Sequence, residues 1–170
     1  MGGLNEQTQT LMEALIDYLN DHLAGSVGAL ELLDRVIETY EGKPLEKFFR
    51  DLRADIDHDQ EQLKELIAKL GAQESAVRKA GAWIAEKLSR PKIDLDEGPK
   101  IELGLFLALE ALVLGITGKR SLWRALQSAS RTVPELARLD YPGLEKRAIE
   151  QCERVEARRL EIARGVFQTR

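Results

Sequence analysis

The sequence predicts an all-α protein of four long helices arranged as two antiparallel hairpins, and three observations predict it. Apolar residues recur at three- and four-residue steps along most of the chain. The remaining positions are dominated by Ala, Glu, Lys and Arg, which are strong helix formers, and only 5 of the 170 residues are proline. Aromatics make up 5% of the chain, which argues against a sheet-built fold. A chain of this length, 44% hydrophobic and 32% charged, buries one core and hardly two, so residues 1–170 are expected to form a single domain.

The first helix is expected over 6–41, on the stripe Leu11, Leu15, Tyr18, Leu19, Leu23, Leu30, Leu33 and Ile37. Gly25 and Gly28 interrupt it, and close packing or a local bend is the expected reason. Gly42 and Pro44 then form a stop-and-restart signal, because glycine ends helices and proline suits a first turn. A second helix over 44–70 carries Leu45, Phe48, Phe49, Leu52, Ile56, Leu63, Leu66, Ile67 and Leu70, and ends at Gly71. The short link makes these two an antiparallel hairpin.

Residues 72–99 are less regular, with a short helix expected at about 75–88 on Val77, Trp83, Ile84 and Leu88. The second helix is roughly 40 Å long, a distance that about 12 extended residues cover. The connector can therefore cross the bundle and make the second and third helices parallel. The third helix, 100–130, is the most apolar and is expected to be central, with Gly115 and Gly118 as kink points. A membrane span is not expected, since the run from Ile101 to Ile116 contains Glu110 and is shorter than the required length of about 20 residues. After a turn containing Pro134, a fourth helix over 141–167 repeats Leu144, Ala148, Cys152, Val155, Ile162 and Val166. Two hairpins joined by a long crossover are the arrangement of the ferritin-like four-helix bundle.

Charge is divided unevenly. Residues 1–75 hold 7 Lys+Arg against 16 Asp+Glu, net -9, and residues 76–170 hold 18 against 13, net +5. Complementary hairpins or subunits explain this better than nucleic acid does, because the basic residues are interleaved with Glu and lack a stacking series of aromatics. A protein or nucleic-acid partner held by the basic half is a lesser alternative. One cysteine, no signal-peptide pattern in residues 1–11, and no phosphate loop, nucleophile elbow or Cys-x-x-Cys pair point to a cytoplasmic protein without a familiar catalytic motif.

A di-metal centre in such a bundle takes a Glu from each of two helices and a Glu-x-x-His pair from each of the others. Asp55-x-x-His58 is a shortened pair on the second helix, and Glu31 lies at a matching level on the first. Glu110 stands in an apolar stretch, where a carboxylate is costly unless paired or metal-bound. The fourth helix has no histidine and offers Glu153 or its acidic neighbours, or Cys152, instead. The candidate metal set is Glu31, Asp55, His58, Glu110 and Glu153, for iron or manganese. The competing reading makes Asp55, Asp57, Asp59 and Glu61 a solvated face, Cys152 a packing residue, His22 a surface or partner-contacting residue, and Trp83 and Trp123 covers of the core.

The run Leu19-Asn20, then Ala29-Leu30-Glu31, Asp57-His58 and the terminating Gly71, resembles uncharacterised bacterial members of the ferritin-like superfamily, mainly over residues 15–71. The resemblance implies inward Glu31 and His58 as metal ligands. It also places Ser26 where related chains often carry a further Glu, and Cys152 or its neighbours in place of a second histidine. The expectation is a cytoplasmic ferritin-like bundle without a competent di-iron centre or other cofactor, serving as a structural or interaction module, as a homodimer. The alternative is an iron- or manganese-binding oxidoreductase or storage protein.

Overall fold

The computed structural model describes residues 2–71 and 101–167, with side chains from residue 6 onward. The helix expected at 75–88, and Trp83 with it, lie outside the described residues. Among the described residues there are four α-helices: α1 Gly2–Thr39, α2 Glu46–Lys69, α3 Ile101–Ala129 and α4 Tyr141–Val166, with a 3₁₀ turn at Pro134–Leu136 between the last two. The boundaries of α2 to α4 agree with the sequence reading to within two residues. α1 begins four residues earlier than expected.

The turns explain where the helices stop. Gly42 and Gly71 adopt φ of 71° and 79°, the left-handed region that side chains disfavour, so each breaks its helix where the sequence signals a stop. The Glu46 carboxylate accepts the Gly42 N–H at 2.7 Å and ties the α1/α2 turn to the first turn of α2. At the start of α4, Asp140 accepts the Gly143 N–H at 3.1 Å and Pro142 occupies the first turn, where a missing N–H costs nothing.

Contacts along the helices define their directions. Glu110 meets Arg159 at 3.2 Å and Arg120 meets Glu145 at 3.2 Å, so α3 and α4 form an antiparallel hairpin. Arg158 lies over the Phe48 ring, Arg154 pairs with Asp55, and Arg147 stands 3.0 Å from Asp59, so α4 also runs antiparallel to α2. It follows that α2 and α3 are parallel, the direction anticipated from the length of the connector.

One core collects buried residues from all four helices. Its stripes keep a four-three spacing: Leu19, Leu23, Leu30 and Leu33 on α1; Leu52, Ile56, Leu63 and Leu66 on α2; Leu112, Ile116, Trp123 and Leu126 on α3; Leu144, Ala148 and Val155 on α4. Trp123 covers the core as expected, at 1% exposure. Cys152 is half-buried against it, with Sγ 3.9 Å from the Thr117 hydroxyl. α3 packs on both α4 and α1, yet leaves Leu103, Leu107 and Leu114 exposed, the last at 69%. By length and composition α3 is also apolar enough to cross a membrane, a wider reading than the run from Ile101 to Ile116 gave. Here its apolar side chains are shared between the core and this uncovered stripe.

Candidate functional site

Of the residues selected from the sequence as metal ligands, only Asp55 and Glu153 line one groove, and the five do not converge. Glu31 and His58 are exposed, where the family resemblance implied inward side chains. Glu110 is exposed too and pairs with Arg159, whose guanidinium lies over the Phe106 ring. The apolar stretch around Glu110 misled because it ignored phase: Glu110 follows Leu109 by one position and so points off the buried stripe. Asp55 pairs with Arg154, and the two share an open groove with Glu150 and Glu153. Among the described residues no group of three or more His, Cys, Asp or Glu is placed to hold a metal ion.

The buried polar chemistry lies elsewhere. Each core stripe is interrupted once, in phase, by a polar residue: Ser26 after Leu23, Asp59 after Ile56, Lys119 after Ile116 and Gln151 after Ala148. Asp59, Lys119 and Gln151 meet as a polar layer between α2, α3 and α4, and Ser26 on α1 bonds to Gln60 beside it. Lys119 Nζ donates to Asp59 Oδ2 at 2.6 Å and to Gln151 Oε1, and Gln151 Nε2 donates to the same Asp59 oxygen at 2.9 Å. Gln60 donates to the Ser26 hydroxyl at 2.9 Å, and the Ser26 hydroxyl donates to the Leu23 carbonyl at 2.6 Å. Asp59 is 1% exposed, so the expectation that it belongs to a solvated face is corrected.

Asp59 Oδ1 is the weak point of the layer. Arg147 stands 3.0 Å from it as an ion pair, but its aligned N–H goes to the Asp55 carbonyl at 3.3 Å, leaving Oδ1 with no hydrogen bond. Burial pushes the Lys119 ammonium below the ordinary lysine range, and the adjacent Asp59 offsets part of that. A charge held this way is stable only while its partner stays charged and in place.

A cavity of about 220 Å³ opens beside the layer between α1, α2 and α3. Asp59, Gln60, Lys119 and Trp123 line it, with Ile56, Leu63, Leu112, Ile116 and Leu122 as apolar wall, and His22 and Ser26 on α1. Gly25, Gly115 and Gly118 line it as well, and a Cβ added to any of them would meet nothing within 4 Å. Close packing of Gly25 against a neighbour is therefore overturned. None of the three has a positive φ, and α1 and α3 each continue unbroken through them. Each costs a helix up to about 1 kcal/mol relative to alanine. Gly25 and Gly115 are exposed, so these two line the space from its open side.

Burial of His22 against Tyr18 lowers its pKa from 6.5, and Asp21 opposes the shift. The fold therefore favours the neutral imidazole. Below pH 6.5 the unfolded chain takes up the proton first, so this contribution to stability is lost as pH falls through 6.5 toward the folded pKa. Urea unfolding of the native chain should weaken over that window more than that of His22→Gln, and parallel pH profiles would count against a buried neutral His22.

Comparison of the chain with protein-family models, with curated proteins and with solved structures finds no match. Fold and site together define a four-helix all-α protein with two helical hairpins and a buried ion-pair layer.

Proposed function

We propose that this is a cytoplasmic, ferritin-like four-helix bundle that lacks a competent di-metal centre and acts as a structural or interaction module, assembled as a homodimer. The observation that carries the reading is the composition of the polar layer. Where a di-metal centre would require four carboxylates and two imidazoles, the polar residues in phase with the core stripes are Ser26, Asp59, Lys119 and Gln151, one carboxylate beside an ammonium. A divalent ion would have to displace Lys119 and sit near Arg147, with a single carboxylate for compensation. Lys119 fills the role of internal cation covalently.

The exposed stripe of α3 supports self-association. Leu103 and Leu107 lie on one side of the exposed Ala111 and Leu114 on the other, so an antiparallel two-fold pairing sets Leu114 against the first two leucines of the second copy. Light scattering on the native chain should give twice the mass of one chain, and Leu114→Glu should give one. A native monomer would remove the dimer from the proposal.

Elemental analysis decides the metal question. Protein purified without chelator, then incubated anaerobically with ferrous iron and desalted, is expected to retain well below one ion per chain. Stoichiometric iron, manganese or zinc that disappears in His58→Ala would overturn the reading in favour of the metal-binding alternative.

A further inference from the structure

We propose that the cavity between α1, α2 and α3 is a binding site for a small monocarboxylate with an apolar body, whose carboxylate is received by Lys119. Its walls and its polar groups both point to this chemistry. The apolar wall gives a ligand body contact without polar partners, while Lys119 presents an ammonium with three N–H groups, two of them engaged by Asp59 and Gln151. Trp123 supplies a second donor: it is 1% exposed, lines the same cavity, and its indole N–H has no hydrogen-bond partner. A buried donor without an acceptor is rare in native proteins and marks a place where one is expected.

The two donors select the head group. Lys119, Asp59 and the exposed Asp21 are the charged residues that line the cavity, and His22 on the α1 wall is held toward its neutral form. A carboxylate accepts from both donors, the Lys119 ammonium and the Trp123 indole, whereas a protonated amine accepts from neither. The size follows from the volume: an apolar cavity of about 150 Å³ accepts benzene, so 220 Å³ suits about nine heavy atoms. Heptanoate has that size.

The test uses the full chain, ¹⁵N-labelled and carrying Trp83→Phe, so that the single remaining indole signal reports Trp123. Titration with heptanoate is expected to shift that signal saturably. Heptanamide, of the same size but uncharged, is expected to bind at least about tenfold more weakly. Gly115→Leu fills the cavity and should abolish the shift while leaving the rest of the spectrum native. If that variant does not fold, Lys119→Met provides the second arm, in which heptanoate should lose its advantage over heptanamide. Absence of a saturable shift at concentrations up to about 5 mM would overturn the proposal. So would equal affinity for acid and amide in the native chain, or unchanged binding in a folded Gly115→Leu. These outcomes are independent of the metal analysis, since a metal ion bound elsewhere would not alter the Trp123 signal's preference for the acid.

Discussion

Replacing Asp59 with alanine is expected to destabilise the fold by about 3–5 kcal/mol, seen as a lower urea midpoint at an unchanged slope. The change removes the acceptor of two hydrogen bonds and leaves Lys119, with a side chain only 15% exposed, as an uncompensated buried ammonium. Lys119→Met should cost less, because Asp59 keeps Gln151 at 2.9 Å and Arg147 at 3.0 Å. The double change Asp59→Leu with Lys119→Met should approach the native stability, since a buried pair exchanged for apolar volume loses its desolvation cost together with its attraction. The size of that coupling identifies the ion pair as the source of the effect. An Asp59→Ala variant within about 1 kcal/mol of the native chain would mean that the layer's charges reach water despite their burial.

Trp123→Ala carries the second large expectation, a loss of about 3–5 kcal/mol. Among the described residues the indole is the largest fully buried side chain, and its removal would merge with the existing cavity beside it, so the surrounding helices have little to collapse upon. Trp123→Phe separates packing from hydrogen bonding. Because the indole N–H has no partner, phenylalanine forfeits only contact area, and its cost should be less than half that of alanine. A phenylalanine as damaging as alanine would show that the N–H is satisfied by a group such as water. Both variants are compared by urea unfolding followed by far-ultraviolet circular dichroism.

Much of the architecture was legible because amphipathic helices write their phase into the sequence. The stripes of α2 and α4 located those helices to within two residues, and the length of the connector anticipated that α2 and α3 are parallel. The candidate site was not legible by the same route, because Asp59 was read together with its acidic neighbours as one solvated face. Phase separates them: Asp59 continues the spacing Leu52, Ile56, Leu63, Leu66, whereas His58 lies off that stripe and is exposed. Lys119 follows the same rule between Ile116 and Trp123, as does Gln151 between Ala148 and Val155. The signal was a polar residue in register with leucines. The preference for familiar metal-ligand spacing drew attention to Asp55 and His58 instead.

The polar layer also bears on the order in which the molecule assembles. Each hairpin can close through local contacts, but Asp59 meets Lys119 across 60 residues and Gln151 across 92. While the hairpins are apart, these side chains remain hydrated, and docking must strip their water before the new pairs form. The barrier to final assembly is therefore expected at hairpin docking rather than at helix formation. A chain paused before that step would present a seam relieved at mid-length by charge, one less disposed to stick to the wrong neighbour than an unbroken row of leucines.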